Sequence, residues 1–354
     1  MKTCIFISDI HLNVYDPRYP HDYTWLSNDQ KQLLVGFLNS LRPNQVETLA
    51  ILGDLFDNWI WPVDAPPPSI EQIAAANQDV FDALRGLRQL GINVVYVRGN
   101  HDMAVSLSDL RAIFPSGPSG LAAFQFCEAG VYQDASIHGE HSHAYCMFNA
   151  PDPQRPDKLP IGYYISRVIA THSAHTGEHP RELSEFVQDA LIDVRDAVDI
   201  VVDVTIAERV FDAVLTYADI PGSSSIVMPG GVSLTVAQIK QAFDNLWSRW
   251  AGPNSRLKAL LADCTVLDPV ARQIFNTERS TNVVVLGHSH LAQLRRYSDT
   301  VYANSGSWCR SKGAGDFVEI IREESAHNLT VQRWKWTGRE TDKVKVDEAR
   351  IPTG

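Results

Sequence analysis

Residues 48–57 read TLAILGDLFD. A β-leaning, largely apolar run stops at a glycine, and two aspartates three positions apart follow at once. A short apolar run bounded by a turn residue reads as a strand buried on both faces, the form strands take inside a parallel sheet. The same arrangement flanks it. Residues 3–8 (TCIFIS) run into Asp9 and His11 of SDIH, and residues 92–97 (INVVYV) run into Asn100, His101 and Asp102 of GNHD. Helix-like segments lie between. From Asp29 to Leu41, Leu33, Leu34, Phe37, Leu38 and Leu41 recur at helical spacing, and Ile73 to Leu90 forms a second amphipathic stretch. Strands alternating with helices predict βαβ units and an α/β fold. In open sheets of that kind the loops at the carboxyl ends of neighbouring strands share one crevice, so these polar clusters are expected to converge.

The arrangement returns late in the chain, where NVVVL (282–286) runs into His288 and His290 of GHSH. Residues 317–335 read as two strands joined by a turn, and His138 stands in an HGE cluster. The middle is different. After the Pro-rich PDPQRPDKLP come helix-like stretches at Leu183 to Val198, Ile206 to Tyr217 and 234–250, the last with Ile239, Phe243, Leu246, Trp247 and Trp250 along one stripe. The expected organisation is a discontinuous catalytic domain, residues 1–150 and 281–354, interrupted by a mainly helical insertion or cap over 151–280.

With 31 Lys+Arg against 42 Asp+Glu, the chain carries a formal charge of −11, which argues against a protein that wraps polyanions. A nuclease would want a basic groove with interleaved aromatics, whereas residues 182–220 hold many more acids than bases. Cys4, Cys127, Cys146, Cys264 and Cys309 are scattered without a CxxC pair and read as reduced, largely buried thiols. Asp9 and His11 interrupt the first apolar stretch before a signal-peptide core is complete, and no run reaches the roughly 18 apolar residues of a spanning helix. A cytoplasmic protein is expected.

Taken singly, an Asp or His at a strand end is an ordinary turn residue. The ordered set is not. Carboxylates, imidazoles and an amide oxygen suit Mn, Fe or Zn, and two such ions bridged by a carboxylate suit phosphate ester cleavage. Within HGEHSH, His141 and His143 compete with His138 for a ligand role. Asp57 reads as supporting or structural, and Asn304 as a residue shaping the cleft. The run containing His172, His175 and His179 reads first as a solvated His-rich segment. Trp59 and Trp61 are either a substrate floor or packing residues. Phe243, Trp247 and Trp250 read as cap core.

The ordered motifs D-x-H, GD-x-x-D, GNHD, HG and GHxH resemble the signature set of the calcineurin-like metallophosphoesterases. The resemblance covers residues 1–140 and 282–310 and leaves the middle untouched. It implies a four-layer sandwich of two mixed β-sheets flanked by helices. It also implies that Asp9, His11 and His290 bind one metal, that Asn100, His138 and His288 bind the other, and that Asp54 bridges them. His101 is then placed at the leaving group or phosphate as general acid or electrostatic stabiliser, with Asp102 orienting it. SDIHL, LGDLFDNW, VRGNHDM and HGE are further similar to the UDP-2,3-diacylglucosamine hydrolases, which cleave a pyrophosphate in lipid A synthesis. Those carry HGD where this chain has HGE, typically Arg where it has His101, and a far shorter middle. Their lipid substrate is therefore not transferred. The expected activity is dinuclear, metal-dependent hydrolysis of a phosphate mono- or diester of a small molecule, with a metal-activated hydroxide attacking phosphorus. The alternatives are pyrophosphate hydrolysis of a nucleotide-sugar or lipid precursor, a nuclease, and a non-catalytic scaffold, which has no need of a complete ligand set.

Overall fold

The computed structural model describes residues 2–352 except 116–121, 123, 135, 153–157, 188–205, 247–249, 251–265, 310–312, 324–326 and 340–342. Most of the expected helix from Leu183 to Val198, and Trp247, fall outside the described residues.

The three N-terminal apolar runs are strands β1 (Lys2–Ile7), β2 (Thr48–Leu52) and β3 (Asn93–Val97). They pair in parallel, β1 with β2 and β2 with β3. On the far side of β1 the sheet turns antiparallel through β12 (Gly315–Glu323), β13 (Asn328–Trp336) and β14 (Val344–Pro352), and β4 (Phe124–Cys127) closes the opposite edge. A second, five-stranded sheet has the order β10 (Gln293–Tyr297), β11 (Thr300–Asn304), β9 (Val283–Leu286), β6 (Ile137–Glu140) and β5 (Val131–Asp134). Between the sheets, Phe6, Leu52, Val95 and Val97 of the first face Ile137, Val283, Val285 and Ala303 of the second in one apolar layer. The alternate residues of the first sheet, among them Ile5, Ile7, Leu49 and Ile51, pack under α1 (Asn28–Ser40), α2 (Ile70–Ala76), α3 (Gln78–Leu90) and α4 (Leu107–Ile113). This period-2 division of strand residues between two covered faces makes a layered α/β sandwich of mixed sheets.

The outer face of the second sheet, with Val284, Leu286 and Tyr302, is covered by α5 (Ile161–Thr176), α6 (Ile206–Tyr217), α7 (Val236–Phe243) and α8 (Asp268–Thr277). A small hairpin, β7 (Ser225–Val227) with β8 (Ser233–Thr235), lies among them. Helix α5 is apolar nearly all round and correspondingly buried. Its fully buried Arg167 donates to the carbonyls of Trp61, Pro62, Ala65 and Val227 and to the Tyr163 hydroxyl, pinning the loop after β2 to the helical layer.

Two local expectations fail. The helix read from Ile73 to Leu90 is broken at Asn77, whose side-chain amide donates to the Ile73 and Asn13 carbonyls while its backbone leaves helical geometry. Cys4, Cys127 and Cys309 are free and buried, but Cys146 is disulfide-bonded. Among the described residues no helix is long and apolar enough to cross a membrane.

Candidate metal centre

Four of the parallel strands deliver a polar cluster just past their carboxyl ends. Strand β1 stops at Ile7 and Asp9 and His11 follow; β2 stops at Leu52 and Asp54 follows; β3 stops at Val97 and Asn100 follows; β9 stops at Leu286 and His288 and His290 follow. The loops are laced together by backbone bonds, Ile10 and His11 N–H to the Asp54 carbonyl at 2.9 and 2.8 Å and Asp57 N–H to the Leu12 carbonyl at 2.8 Å. Asp9, His11, Asp54, His288 and His290 all have φ between 52° and 71°. That left-handed conformation costs a non-glycine residue on the order of 1–2 kcal/mol, and it turns both D-x-H and H-x-H sharply enough for the two side chains of each pair to face one crevice. Two glycines give the crowding room. A Cβ on Gly53 would lie 2.5 Å from His141 Nδ1, and one on Gly99 would collide with the Asp54 carboxylate.

The side chains meet around Asp54. Its Oδ2 lies 3.1 Å from His141 Nε2 and 3.7 Å from His11 Nε2, and its Oδ1 accepts the His101 N–H at 2.9 Å. The Asn100 carbonyl oxygen is 3.0 Å from His141 Nε2. The ligating atoms of Asp54, His141 and His288 lie within 4.8 Å of one another, and so do those of His11, Asp54 and His101. Asp9 closes the other side. It accepts from Ser8 Oγ and, through Oδ2, from the His288 N–H at 3.0 Å, while its Oδ1 sits 3.2 Å from His290 Nε2.

The orientation of the rings tests whether these residues fit a metal. His11 Nδ1 is bound to Asp57 Oδ2 at 3.0 Å, His290 Nδ1 to Glu182 Oε1 at 2.9 Å, and His141 Nδ1 to the Leu52 carbonyl at 2.8 Å. An acceptor on Nδ1 keeps the proton there and leaves the Nε2 lone pair free, the state a metal-ligating imidazole adopts. Yet His11 Nε2 and His290 Nε2 face each other at 3.3 Å, beside the buried Asp9 carboxylate. Such a set requires a positive charge at its centre, a proton in the metal-free chain or a divalent cation in the loaded one. The donor set fits.

The titrating groups say the same for the metal-free protein. Burial opposes the Asp54 charge, but His141 and His101 hold its carboxyl well below the usual range. Burial opposes the His141 charge too, and Asp54 and Asp9 nevertheless push it up to about 9. His288 is driven well below the ordinary imidazole value by burial and by His141. His101 is raised, against burial, by Asp57 and Asp54.

His138 is not brought to this cluster. His138 lies inside β6, in register with Val284, and so faces the outer helical layer rather than the strand's carboxyl edge. Its Nδ1 is 3.0 Å from Glu278, beside the C-terminus of α8. Three residues further on, roughly 10 Å along an extended chain, His141 is the first residue beyond β6 and reaches Asp54 and Asn100. We expect His141→Ala to cost one of two bound ions, and His138→Ala to retain both. Metal content of the two purified variants checks this; loss of an ion from His138→Ala alone would restore the original assignment.

Asp102 contacts the backbone rather than the His101 ring. Its carboxylate accepts the backbone N–H groups of Gly99, Leu55 and Phe56, at 2.6, 2.8 and 3.3 Å, and so staples the GNHD loop to the GDLFD loop. Burial and the Asp54 charge raise its pKa to about 6. Asp57 orients His101 instead, through a 2.9 Å contact from Oδ1 to Nδ1, while its Oδ2 holds His11. Trp59 is buried and packs on the His101 ring at 4.7 Å, a positioning contact rather than a substrate floor. Trp61 joins Tyr23 in a separate aromatic cluster. Asn304 shapes the backbone, donating to the Gly287 carbonyl and accepting the Gly306 N–H. His172 pairs with Glu178 and stacks on Tyr217. Phe243 and Trp250 are buried in the helical layer.

A cleft opens beside Asp54, Asn100, His101, His288 and His290, with Trp25, Asn149 and Arg181 among its walls. None of those three walls, nor Glu182, stands in a motif. Only proximity in the fold identifies them.

The family described as calcineurin-like phosphoesterase matches residues 2–292. The UDP-2,3-diacylglucosamine hydrolase of Neisseria meningitidis serogroup B is 32% identical over 105 residues, 30% of this chain and 36% of that protein. The same-named protein of Stenotrophomonas maltophilia is 37% identical over 100 residues, 28% of this chain and 32% of that one. The similarity thus spans about a third of the length of these relatives. Among solved structures, a dimetal phosphatase from Danio rerio aligns over 99% of both chains at 11% identity and a TM-score of 0.43. Vps29 from Chaetomium thermophilum aligns over 100% of both at 12% identity and a TM-score of 0.34.

Proposed function

The chain belongs to the calcineurin-like phosphoesterase family, and from that premise we propose that it is a dinuclear, metal-dependent hydrolase acting on a phosphate mono- or diester of a small molecule. One observation carries the proposal: the Asp54 carboxylate stands within 3.1 Å of His141 Nε2 and 3.7 Å of His11 Nε2, a candidate ligand from each of two seats. Asp9, His11 and His290 would hold one ion and Asn100, His141 and His288 the other, with Asp54 available to both. When bound, two divalent ions supply Lewis acidity toward the phosphoryl oxygens and a hydroxide at neutral pH. We propose manganese, with iron and zinc as the other ions this donor set accepts, and a cytoplasmic location, which the three free thiols support and the Cys146 disulfide opposes.

The chain's own residues do the rest. His101 lines the cleft with its Nδ1–H donated to Asp57. Asp57 and Asp54 raise its pKa against burial, and the Nε2–H of the imidazolium is the proton offered to the departing oxygen. Trp59 and Trp25 flank that ring at 4.7 and 5.2 Å and limit its rotation. Asp57 and Glu182 fix the tautomers of His11 and His290. No covalent phosphoryl-enzyme is needed.

Metal-stripped protein reconstituted with Mn²⁺ is expected to hydrolyse p-nitrophenyl phosphate or bis-p-nitrophenyl phosphate, and the ratio of the two rates assigns mono- or diesterase character. Two bound ions without turnover of either would move the assignment to a pyrophosphate substrate. Absence of metal binding would overturn it.

A further inference from the structure

Cys309 lies at the metal centre, outside the ligand set described above. Its sulfur and the ligating atoms of His11 and His290 all fall within 4.8 Å of one another. A buried free cysteine is usually an inert small hydrophobe, and Cys4 and Cys127, which pack between the two sheets, fit that description. Cys309 differs in its neighbours. It sits against two imidazoles whose Nδ1 atoms are already bound to Asp57 and Glu182, and one of them, His290, lies against the buried Asp9 carboxylate. Asp9 Oδ1 is too poorly aligned with His290 Nε2 to hydrogen-bond it, despite a separation of 3.2 Å, and has no other partner among the described residues. An imidazole pair and a thiol around one point, with a buried carboxylate oxygen 3.2 Å from one of the imidazoles, form a mixed N, O and S donor set.

The thiol's position is held by its own segment. The Trp308 N–H donates to the Asp9 carbonyl at 3.1 Å, and the Gln30 side chain donates to the Trp308 carbonyl at 2.9 Å. Ser305 Oγ is 2.7 Å from Ser8 Oγ, so residues 305–309 are tied to the loop that presents Asp9 and His11. Trp308 itself is fully buried beneath α1 and anchors the turn.

We infer that Cys309 is a thiolate ligand to the ion that Asp9, His11 and His290 would hold, and that this ion is accordingly zinc or iron, which confines the manganese proposed above to the other seat. The inference rests on the dinuclear reading and narrows it. As the sulfur–metal bond forms, the S–H bond breaks and its proton passes to solvent, with no change of oxidation state. A soft thiolate favours zinc and iron over manganese, whereas an oxygen and nitrogen set alone discriminates little.

Cobalt(II) tests this without any substrate. The full-length protein, stripped and reloaded with Co²⁺, is expected to bind two ions and show a near-ultraviolet sulfur-to-cobalt charge-transfer band. Cys309→Ser and Cys309→Ala are expected to lose the band, and their zinc affinity should fall more than their manganese affinity. Two bound cobalt ions without the band would overturn the thiolate ligand and leave the dinuclear centre standing. A band that survives in both variants would place the sulfur elsewhere and overturn it equally. Failure of the wild-type chain to bind cobalt would remove the dinuclear reading and the thiolate together. The wild-type spectrum decides the matter even if both variants fold poorly.

Discussion

Asp54→Asn is expected to abolish metal-dependent turnover, with kcat lowered by about 10³-fold or more, the scale of several kcal/mol of transition-state stabilisation. The expectation follows from position. Asp54 stands within 3.1 Å of His141 Nε2 and 3.7 Å of His11 Nε2, a candidate ligand from each seat, so removing its charge weakens both seats at once. Fold should survive. Asparagine keeps an oxygen to accept the His101 N–H that Asp54 now accepts at 2.9 Å, and the backbone carbonyl that receives Ile10 and His11 is unchanged. In the metal-free chain Asp54 also lies among charged imidazoles that hold its carboxyl well down, and losing it should let His141 fall back from about 9. Steady-state rates, metal content and thermal unfolding separate the effects. Turnover within tenfold of wild type at equal metal content would remove Asp54 from the centre of the proposal.

His101→Ala is expected to bind both ions and to lose about 10²–10⁴-fold in kcat, the usual worth of a positioned general acid. The loss should be steeper for alkyl than for aryl phosphates, because an alkoxide needs the proton and a nitrophenolate does not. Asp57 orients the His101 imidazole, Asp54 accepts the residue's backbone N–H, and two tryptophans flank its ring. Asp57 and Asp54 also raise its pKa against burial, keeping a donor proton available near neutrality. Rates for a series of leaving groups, read with metal content, test the role. An equal loss across the series would leave His101 as an electrostatic stabiliser and refute the proton transfer.

The strand ends were legible because a run such as TLAIL admits few readings once GD follows it. A parallel sheet then sends Asp9, Asp54, Asn100 and His288 to one edge without further information. HGEHSH offers three histidines, and which of them reaches Asp54 turns on where β6 ends. A strand boundary is the least determined feature of a local pattern, and a shift of three residues moves the side chain from one face and depth to another. Adjacency in GNHD suggested a pairing for Asp102 that the fold gives to Asp57, 44 positions away. Trp25, Asn149, Glu182 and Cys309 carry no periodicity and no motif. Their roles exist only once distant segments meet. The break at Asn77 escaped because apolar spacing continues across it, while the side chain that ends the first helix bonds locally and without a pattern.

Glu182 has a consequence for the protein as a modular object. The carboxylate bound to His290 comes from a segment attached to the helical layer, whereas His290 follows a strand of the sandwich. Exchanging that layer for a relative's, to transplant a substrate preference, would also remove the group that sets the tautomer of a proposed ligand. A graft that keeps residues 181–187 should carry its metal occupancy with it. One that replaces them would have to re-establish the centre before its new specificity could be read. In this lineage of insertions, recognition and metallation cannot drift apart independently.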